Sequence, residues 1–524
     1  MKNYTLKALS IILSLLMLSA ALASCSKDKD ESKDSQTEKQ TTADVTDSET
    51  DTKSAAENTG LEIRDYNGAS MNIWYSKGTA TWGPQPLKVT ADEATADKIS
   101  KAGYTRNAVL EEMLGVYIDY TVSDTNPNKS DDSSATKELQ RLYNAGDTAK
   151  YDIIITGTRA CGALAQEGRY YDLSESDYIH PDAYYYEAQV NEQMKVYDSM
   201  YYTCGFFSTG NTRALCGVYT NKSILDEATN GQTDMEDLYE LAFENEWTLE
   251  KMLEYGKLWS TPVDNANNWT DTGASYAPNG WNSYENAHYA FTIGGGNARL
   301  LYYALGGTVI EQNASSGEYE VTLDNSVNTN LVTYILEQMG SNGADTAYLS
   351  DTTFIKSFTE GHTMFMMSDF ASIDAANGIA NTANLEWGLM PAPLYEAGNE
   401  YKAYSDSWVM VFAGIPSANR DLDKATYLYE MFMAYSYDYL YPAYYEDTFG
   451  TTYQPDASSA QVFDIIANSR TVCFRDVYQI GGSTILDNHR ALLWGKGSIG
   501  DITTMATTLR GSLNTFITEL DNMG

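Results

Sequence analysis

The sequence predicts an α/β fold in which parallel strands are covered by helices on both faces. Strand-like and helix-like segments alternate between residues 71 and 156, a pattern that favours parallel pairing through crossover helices. The run Tyr151–Thr156 is continuously apolar at its centre, as expected for a strand buried on both faces. The chain has 524 residues, of which 43% are hydrophobic, so it can bury a large core. Its length favours about three domains.

Each predicted element has a local reason. Residues 71–75 are a β-rich run that follows Asn67 and Gly68, a turn signal. Residues 98–114 place apolar side chains at helical spacing, namely Ile99, Ala102, Val109, Leu110, Met113 and Leu114. The further predictions are a strand at 116–122, a helix around 139–143, and a terminal helix with Ile502, Met505, Leu509, Leu513, Phe516, Ile517 and Leu520 on one face. Beyond residue 60 no linker-like stretch stands out, which favours lobes joined by several chain crossings.

The charge balance excludes one class of partner. The chain carries 34 Lys and Arg against 72 Asp and Glu, a net charge of −38. Such a surface repels phosphate backbones, so we expect no binding to nucleic acid. Tyrosine is abundant, at 41 residues, and pairs an apolar ring with a polar tip, which suits wet binding surfaces.

The N-terminus predicts export. Lys2 and Lys7 precede the apolar run 8–23, which is too short to span a bilayer and is typical of a secretory signal. The run ends in Leu22–Cys25, which resembles the lipobox of bacterial lipoproteins and implies lipidation of Cys25. The alternative is an ordinary signal with a chance cysteine. Residues 26–60 are charged and lack aromatic side chains, so they predict a disordered acidic tether that reaches roughly 30 Å.

The other cysteines leave two interpretations open. Cys204 and Cys216 are close in sequence and could form a disulfide across a hairpin in an exported protein. They could equally be small buried side chains, like Cys161 and Cys473. No CxxC motif or His–Cys cluster is present, so neither a metal site nor a cofactor is predicted.

Several stretches, in order, resemble the extracellular solute-binding proteins of ABC importers (family 1), the group that includes maltodextrin-binding proteins. The stretches are Tyr151–Thr156 with Leu164–Gly168 and Tyr171–Leu173, then Val218–Lys222, Trp247–Met252, Phe358–Met366, Trp387–Pro393 and Ala413–Asn419. Each is weak alone, and the ordered set covers about residues 61–520. The family often has Trp after the third strand and after the strand that ends at Met366, and this chain has none there.

The resemblance implies a two-lobed, periplasmic-binding-protein-like (type II) fold with a ligand cleft between lobes joined by hinge crossings. The implied organisation is a signal peptide at 1–24, a lipidated Cys and tether at 25–60, lobe 1 at 61–212 and 386–440, and lobe 2 at 213–385 and 441–524. The implied function is not enzymatic. The chain would be a monomer, lipid-anchored at the extracellular face of the cell membrane, that captures a mono- or oligosaccharide and delivers it to ABC permease subunits.

Candidate ligand-binding residues follow from the rule that open α/β sheets bind ligands at the carboxyl ends of their strands. They are Ser76, Lys77, Trp82, Thr158, Arg159, Asn211, Arg213, Asp369, Phe370, Ser407 and Trp408. By position, Ser76, Thr158, Arg213 and Phe370 fall near places where the sugar binders of the family contact ligand.

Structural roles stand beside these assignments. Trp82 and Trp408 are also consistent with core packing, Arg159 and Arg213 with ion pairs, and Asp369 with a helix N-cap. Two other functions also fit the sequence: an exported glycan-active enzyme with a pair of cleft carboxylates, and a surface adhesin or sensor that uses the same fold without transport. The acidic surface would also attract cationic ligands such as polyamines.

Overall fold

The computed structural model describes residues 54–77, 98–127, 134–260, 288–339, 346–349, 353–374, 378–445, 457–495 and 497–521. They belong to one compact unit, Lys53–Gly524. The signal segment, most of the tether, Cys25 and Trp82 lie outside these ranges. Within them, no helix is both long enough and apolar enough to cross a bilayer.

The strands are β1 (Ala69–Ser76), β2 (Val116–Ser123), β3 (Ile153–Gly157), β4 (Cys216–Asn221), β5 (Tyr289–Gly294), β6 (Ile310–Gln312), β7 (Tyr319–Val321), β8 (Thr346–Leu349), β9 (Thr363–Asp369), β10 (Trp387–Met390), β11 (Ala403–Tyr404), β12 (Val411–Gly414) and β13 (Arg470–Thr471).

The α-helices are α1 (Ala55–Asn58), α2 (Lys98–Leu114), α3 (Ala135–Ala145), α4 (Thr158–Gln166), α5 (Ala188–Met194), α6 (Thr209–Arg213), α7 (Lys222–Thr229), α8 (Met235–Phe243), α9 (Leu249–Gly256), α10 (Ala298–Ala304), α11 (Ser326–Gln338), α12 (Thr353–Thr359), α13 (Ala371–Asp374), α14 (Leu422–Tyr445), α15 (Ala457–Asn468), α16 (Phe474–Tyr478), α17 (Gly482–Leu493) and α18 (Ile499–Asp521). Single 3-10 turns lie at Asp147–Lys150, Leu173–Glu175, Gly295–Asn297 and Ile379–Asn381.

The two main sheets, of four and five strands, share one pattern of strand directions. The first sheet has the order β12-β3-β1-β2, in which β1 is parallel to β2 and β3 while β12 is antiparallel to β3. The second has the order β10-β4-β9-β5-β8, in which β5 is parallel to β8 and β9 while β4 is antiparallel to β9. Each sheet therefore holds three parallel strands beside an antiparallel strand from another part of the chain. This is the two-lobed type II arrangement that the sequence predicts.

Three chain segments pass between the sheets and are hydrogen-bonded to one another. The first contains α6 and leads into β4, the second is Ser405–Met410 and leads into β12, and the third contains β13. The backbone N–H of Asp406 donates to Ala214 O at 2.8 Å, and that of Ser405 donates to Thr471 O at 2.8 Å. We call these three segments the crossings.

The crossings change the lobe boundaries that the sequence predicts. Strand β10 pairs with β4 in the second sheet, so the chain returns to the first sheet at Val411 and not at residue 386. Helix α16 packs against α4, which follows β3, so the segment 441–524 is not confined to the second lobe. The reason is that the third crossing brings the C-terminal helices back toward the first sheet.

Helices cover both faces of the first sheet. Ile153 and Ile155 of β3 belong to one apolar cluster and Ile154 to the other, which is the period-2 alternation of a strand buried on both faces. The predicted apolar face of α18 is confirmed, because Ile502, Met505, Leu509, Leu513, Phe516 and Leu520 are buried and Ile517 packs against them.

Helix α2 differs from its predicted face. Met113 is 43% exposed, whereas Arg106 is 1% exposed. The Arg106 guanidinium lies 4.4 Å from the centroid of the Phe432 ring, and its Nη1 donates to Ser436 Oγ at 3.1 Å. Helix α14 therefore packs on a face of α2 that includes a buried arginine, which apolar periodicity alone does not reveal.

Of the two interpretations that the sequence leaves open for Cys204 and Cys216, the structure has the small buried side chains and not the disulfide. Both thiols are free and buried, as are those of Cys161 and Cys473. Cys216 lies in β4 of the second sheet, whereas Cys204 follows Thr203, which bridges to Ala413 in β12 of the first sheet. The first crossing separates the two cysteines, so they do not face each other across a hairpin.

Candidate functional site

The strand ends of the first sheet hold the first group of predicted residues. Ser76 ends β1, is buried, and its Oγ lies 2.8 Å from Thr156 Oγ1 on the adjacent strand. Lys77 follows it and places its Nζ 2.7 Å from Asp124 Oδ1, in a pair that is well exposed to water. Ser76 is thus tied to β3, whereas Lys77 remains at the surface of this edge.

The carboxyl end of β3 is joined to the second crossing. Gly157 is the N-cap residue of α4, so Thr158 and Arg159 are its first two helical residues. The Thr158 hydroxyl donates to the carbonyl oxygen of Ser407, and both residues are buried. This bond holds the crossing against the start of α4 and sets the position of the next residue, Trp408.

Arg159 and Trp408 contact each other. The Arg159 guanidinium lies 5.1 Å from the centroid of the Trp408 ring, within the range of a cation–π interaction. Trp408 is 39% exposed, and its backbone N–H donates to Asp406 Oδ1 at 2.9 Å. An indole that is held in place yet open to solvent is a surface that a ligand can cover.

Asp487 on helix α17 lies close enough to Arg159 to interact with it electrostatically. Partial burial lowers the pKa of Arg159, the carboxylate of Asp487 opposes that shift, and Arg475 adds to it. Asp487 Oδ1 lies 2.7 Å from Arg490 Nη2, and the Arg490 guanidinium lies 5.3 Å from the centroid of the Trp494 ring. We call Arg159, Trp408, Asp487, Arg490 and Trp494 the Arg159 group.

The sequence reasoning missed the three members of this group that lie on or directly after α17. The spacing 487, 490 and 494 places them on one helix face, which was the available signal. Trp494 is anchored because its Nε1–H donates to Gly295 O at 3.0 Å, in the turn directly after β5. This bond joins the residue after α17 to the end of β5.

A buried ionic cluster is centred on the Asp476 carboxylate. Asp476 on α16 accepts from Arg299, from Arg475 at 2.9 Å and from the Tyr404 hydroxyl at 2.9 Å. Burial raises the pKa of Asp476, but the two guanidinium groups outweigh it and lower the pKa to about 2. The carboxylate is charged and fully partnered, so its role is to join α10, α16 and β11.

The other predicted residues lie in the packed interior. Asn211 is buried, accepts from the backbone N–H of Val411 at 2.8 Å, and donates to Gly205 O at 2.7 Å, so it joins the first crossing to β12. Phe370 is buried and stacks on Phe463 with centroids 6.0 Å apart. Arg213 and Asp369 are also buried, with 3% and 4% exposed.

The chemistry of the Arg159 group suits a polar ligand with flat apolar faces. The exposed Trp408 indole offers a ring surface, the guanidinium groups of Arg159 and Arg490 donate hydrogen bonds, and the Asp487 carboxylate accepts them. In the part of the chain that the structure describes, no cluster of His, Cys, Asp and Glu could hold a metal ion.

Comparison with known proteins gives structural likeness only. No family matches the chain by sequence, and no curated protein does. An ABC substrate-binding protein from Listeria monocytogenes, solved in complex with cycloalternan, is 12% identical with a TM-score of 0.48, over 86% of this chain and 98% of that one. UspC of M. tuberculosis is 14% identical with a TM-score of 0.48, over 86% of this chain and 100% of that one. The fold assignment rests on the strand order of the two sheets, and the chain is similar to these proteins.

Proposed function

We propose that this protein is an extracellular solute-binding protein that captures a carbohydrate at the Arg159 group and delivers it to an ABC permease. The observation that carries the proposal is a series of charged and aromatic side chains. Arg159 contacts Trp408 and interacts electrostatically with Asp487, which pairs with Arg490 beside Trp494. Lobes joined by crossings can close around a ligand at such a place by a hinge motion.

The charges of the site disfavour a cationic ligand, and its donors and acceptor suit a ligand with hydroxyl groups. Two guanidinium groups and one carboxylate give the Arg159 group a net positive charge, within a chain whose net charge is −38. A polyamine would be attracted by the surface but repelled by these arginines. Sugar hydroxyls can both donate to Asp487 and accept from the arginines, while the Trp408 indole covers the C–H face of the ring.

The anchoring and transport parts of the proposal rest on the N-terminal sequence and on the resemblance. Lipid attached at Cys25 and a tether that reaches roughly 30 Å would hold the receptor close to a membrane permease. If Cys25→Ala releases the full-length protein from the membrane fraction while its melting temperature is unchanged, the anchor is supported. Retention of the folded variant in that fraction would contradict it.

A binding screen of the full-length protein tests the function. Melting temperature is measured with mono- and oligosaccharides, polyamines, amino acids and short peptides, because a ligand at 100 times its Kd adds about 2.7 kcal/mol of stability. We expect one saccharide class to stabilise the protein without being consumed. Hydrolysis of that saccharide would favour a glycan-active enzyme, and stabilisation by polyamines alone would contradict the carbohydrate proposal.

Two matched variants locate the binding. Trp408→Ala should weaken binding of the identified saccharide by about 1–3 kcal/mol, because it removes a ring that the ligand covers. Tyr117→Ala removes an aromatic ring that is 66% exposed on β2, and we expect it to leave the affinity unchanged. Equal affinity of the wild type and Trp408→Ala, measured by calorimetry, would place the ligand elsewhere.

A further inference from the structure

A pocket of about 240 Å³ lies beside the first crossing. None of its lining residues belongs to the Arg159 group. Its walls come from α14, which packs on α2 of the first lobe, and from α15, which packs on β10 of the second sheet. Thr212 and Leu215 of the first crossing complete the lining. An occupant would therefore touch both lobes and the segment that joins them.

Aromatic rings form one wall of this pocket. Tyr437 and Tyr441, one turn apart on α14, are stacked with centroids 5.2 Å apart and planes 12° apart. Phe206 packs its ring 4.7 Å from Tyr441, and Tyr184 packs 5.2 Å from Tyr437. The Tyr437 and Tyr441 rings are only partly buried, so ring surface remains available to a flat molecule.

A buried ion pair supplies the polar part of the lining. Glu187 and Arg470 are 9% and 5% exposed, and Arg470 Nη1 lies 2.6 Å from Glu187 Oε1. Arg470 Nη1 also donates to Asn211 O at 3.2 Å, which orients the guanidinium. Arg470 and Glu187 therefore place a hydrogen-bond donor and an acceptor beside the aromatic wall.

The lining selects the chemistry of the occupant. The ion pair is neutral overall, so a charged ligand would face one charge of its own sign. A hydroxyl group can accept from the Arg470 guanidinium, and a neighbouring hydroxyl can donate to the Glu187 carboxylate. The pocket is smaller than the roughly 300–1,000 Å³ of sites for drug-sized ligands, so it fits a single ring.

We propose that this tyrosine pocket is a second binding site, which takes one neutral sugar ring stacked on Tyr437 and Tyr441 and hydrogen-bonded to Arg470 and Glu187. The site is separate from the Arg159 group, and the inference stands whether or not that group binds the transported solute. The ring that the pocket admits can be a free monosaccharide or the end of a longer glycan.

The test is a titration of the full-length protein with methyl β-D-glucopyranoside, methyl β-D-galactopyranoside and methyl α-D-mannopyranoside, followed by saturation-transfer NMR. At least one of these glycosides should bind, and Tyr441→Ala should weaken that binding by about tenfold. Tyr439→Ala is the matched control, because Tyr439 lies on the same helix and is not among the lining residues. Arg470→Lys, which keeps the charge but removes the guanidinium group, is the second variant and should also weaken binding.

Trp408→Ala separates this site from the Arg159 group. Glycoside binding that survives Trp408→Ala and is weakened by Tyr441→Ala supports the tyrosine pocket. Binding abolished by Trp408→Ala and unchanged in Tyr441→Ala would assign the sugar to the Arg159 group alone and overturn the inference. It would also be overturned if none of the three glycosides bound, or if Tyr439→Ala weakened binding as much as Tyr441→Ala.

Discussion

His489 makes the stability of this protein depend on pH in a way that one substitution can remove. The residue lies on α17, two positions after Asp487, and is 3% exposed. The Tyr302 ring packs edge-on against the imidazole with centroids 4.7 Å apart. Burial lowers the pKa of His489 to about 3, Arg299 and Arg475 add to the shift, and Asp476 opposes it. The folded protein therefore keeps this imidazole neutral.

The size of the effect follows from the two pKa values. An unfolded histidine has a pKa of about 6.5. Between pH 7 and pH 5 the unfolded chain therefore binds a proton at this residue, whereas the folded chain does not. The stabilisation is fully present above pH 6.5 and is lost as the pH falls toward the folded value near 3. Integrated from pH 7 to pH 5, His489 should lower the free energy of unfolding by about 2 kcal/mol.

Urea unfolding of the full chain at pH 7 and pH 5 measures this contribution. In His489→Leu, which is apolar and does not titrate, the loss of stability between the two pH values should be smaller by about 2 kcal/mol. Leu492→Ala, which creates a cavity beside the same helix, is the control. It should lower the stability at both pH values but keep the wild-type pH dependence. The reasoning is refuted if His489→Leu and the wild type lose equal stability between pH 7 and pH 5.

Three further predictions concern stability and are checked by denaturant or thermal unfolding. Glu430→Gln should lower the free energy of unfolding by about 2 kcal/mol, because the buried carboxylate accepts hydrogen bonds from the hydroxyls of Tyr185 and Tyr186 at 2.6 Å each. An unchanged free energy of unfolding would contradict this role of the carboxylate. Gly162→Ala should lower the free energy of unfolding by about 1–3 kcal/mol, because the new Cβ would lie 2.8 Å from the α16 backbone. Gly511→Ala is the control and should be neutral or stabilising, since a Cβ there has no other atom within 4 Å. A reducing agent should leave the melting temperature unchanged, because all four described cysteines are free; a large decrease would indicate a disulfide.

Much of the fold was predictable because each element carries a local pattern. The β-rich run at 71–75, the strand at 116–122 and the apolar run at 151–156 correspond to β1, β2 and β3. A side chain's place on a strand or helix face depends on residues two, three or four positions away, so a short window contains the signal. The exception was α2, where Arg106 is buried in contact with the Phe432 ring and the Ser436 hydroxyl of a helix that is distant in sequence.

The candidate site was predictable only in part. Arg159 and Trp408 were expected near ligand because they flank strands whose ends meet at one edge of a sheet. Their mutual contact, and the packing of α16 against α4, join residues that are far apart in the chain, which no local pattern specifies.

The sequence therefore determines which segments form strands and helices and which faces they bury, since those are set by short-range periodicity. Tertiary structure alone decides which charges and rings meet, because such contacts join residues that are far apart in the chain. The separation of Cys204 from Cys216 is the converse case, in which neighbours in sequence are placed in different sheets by a crossing.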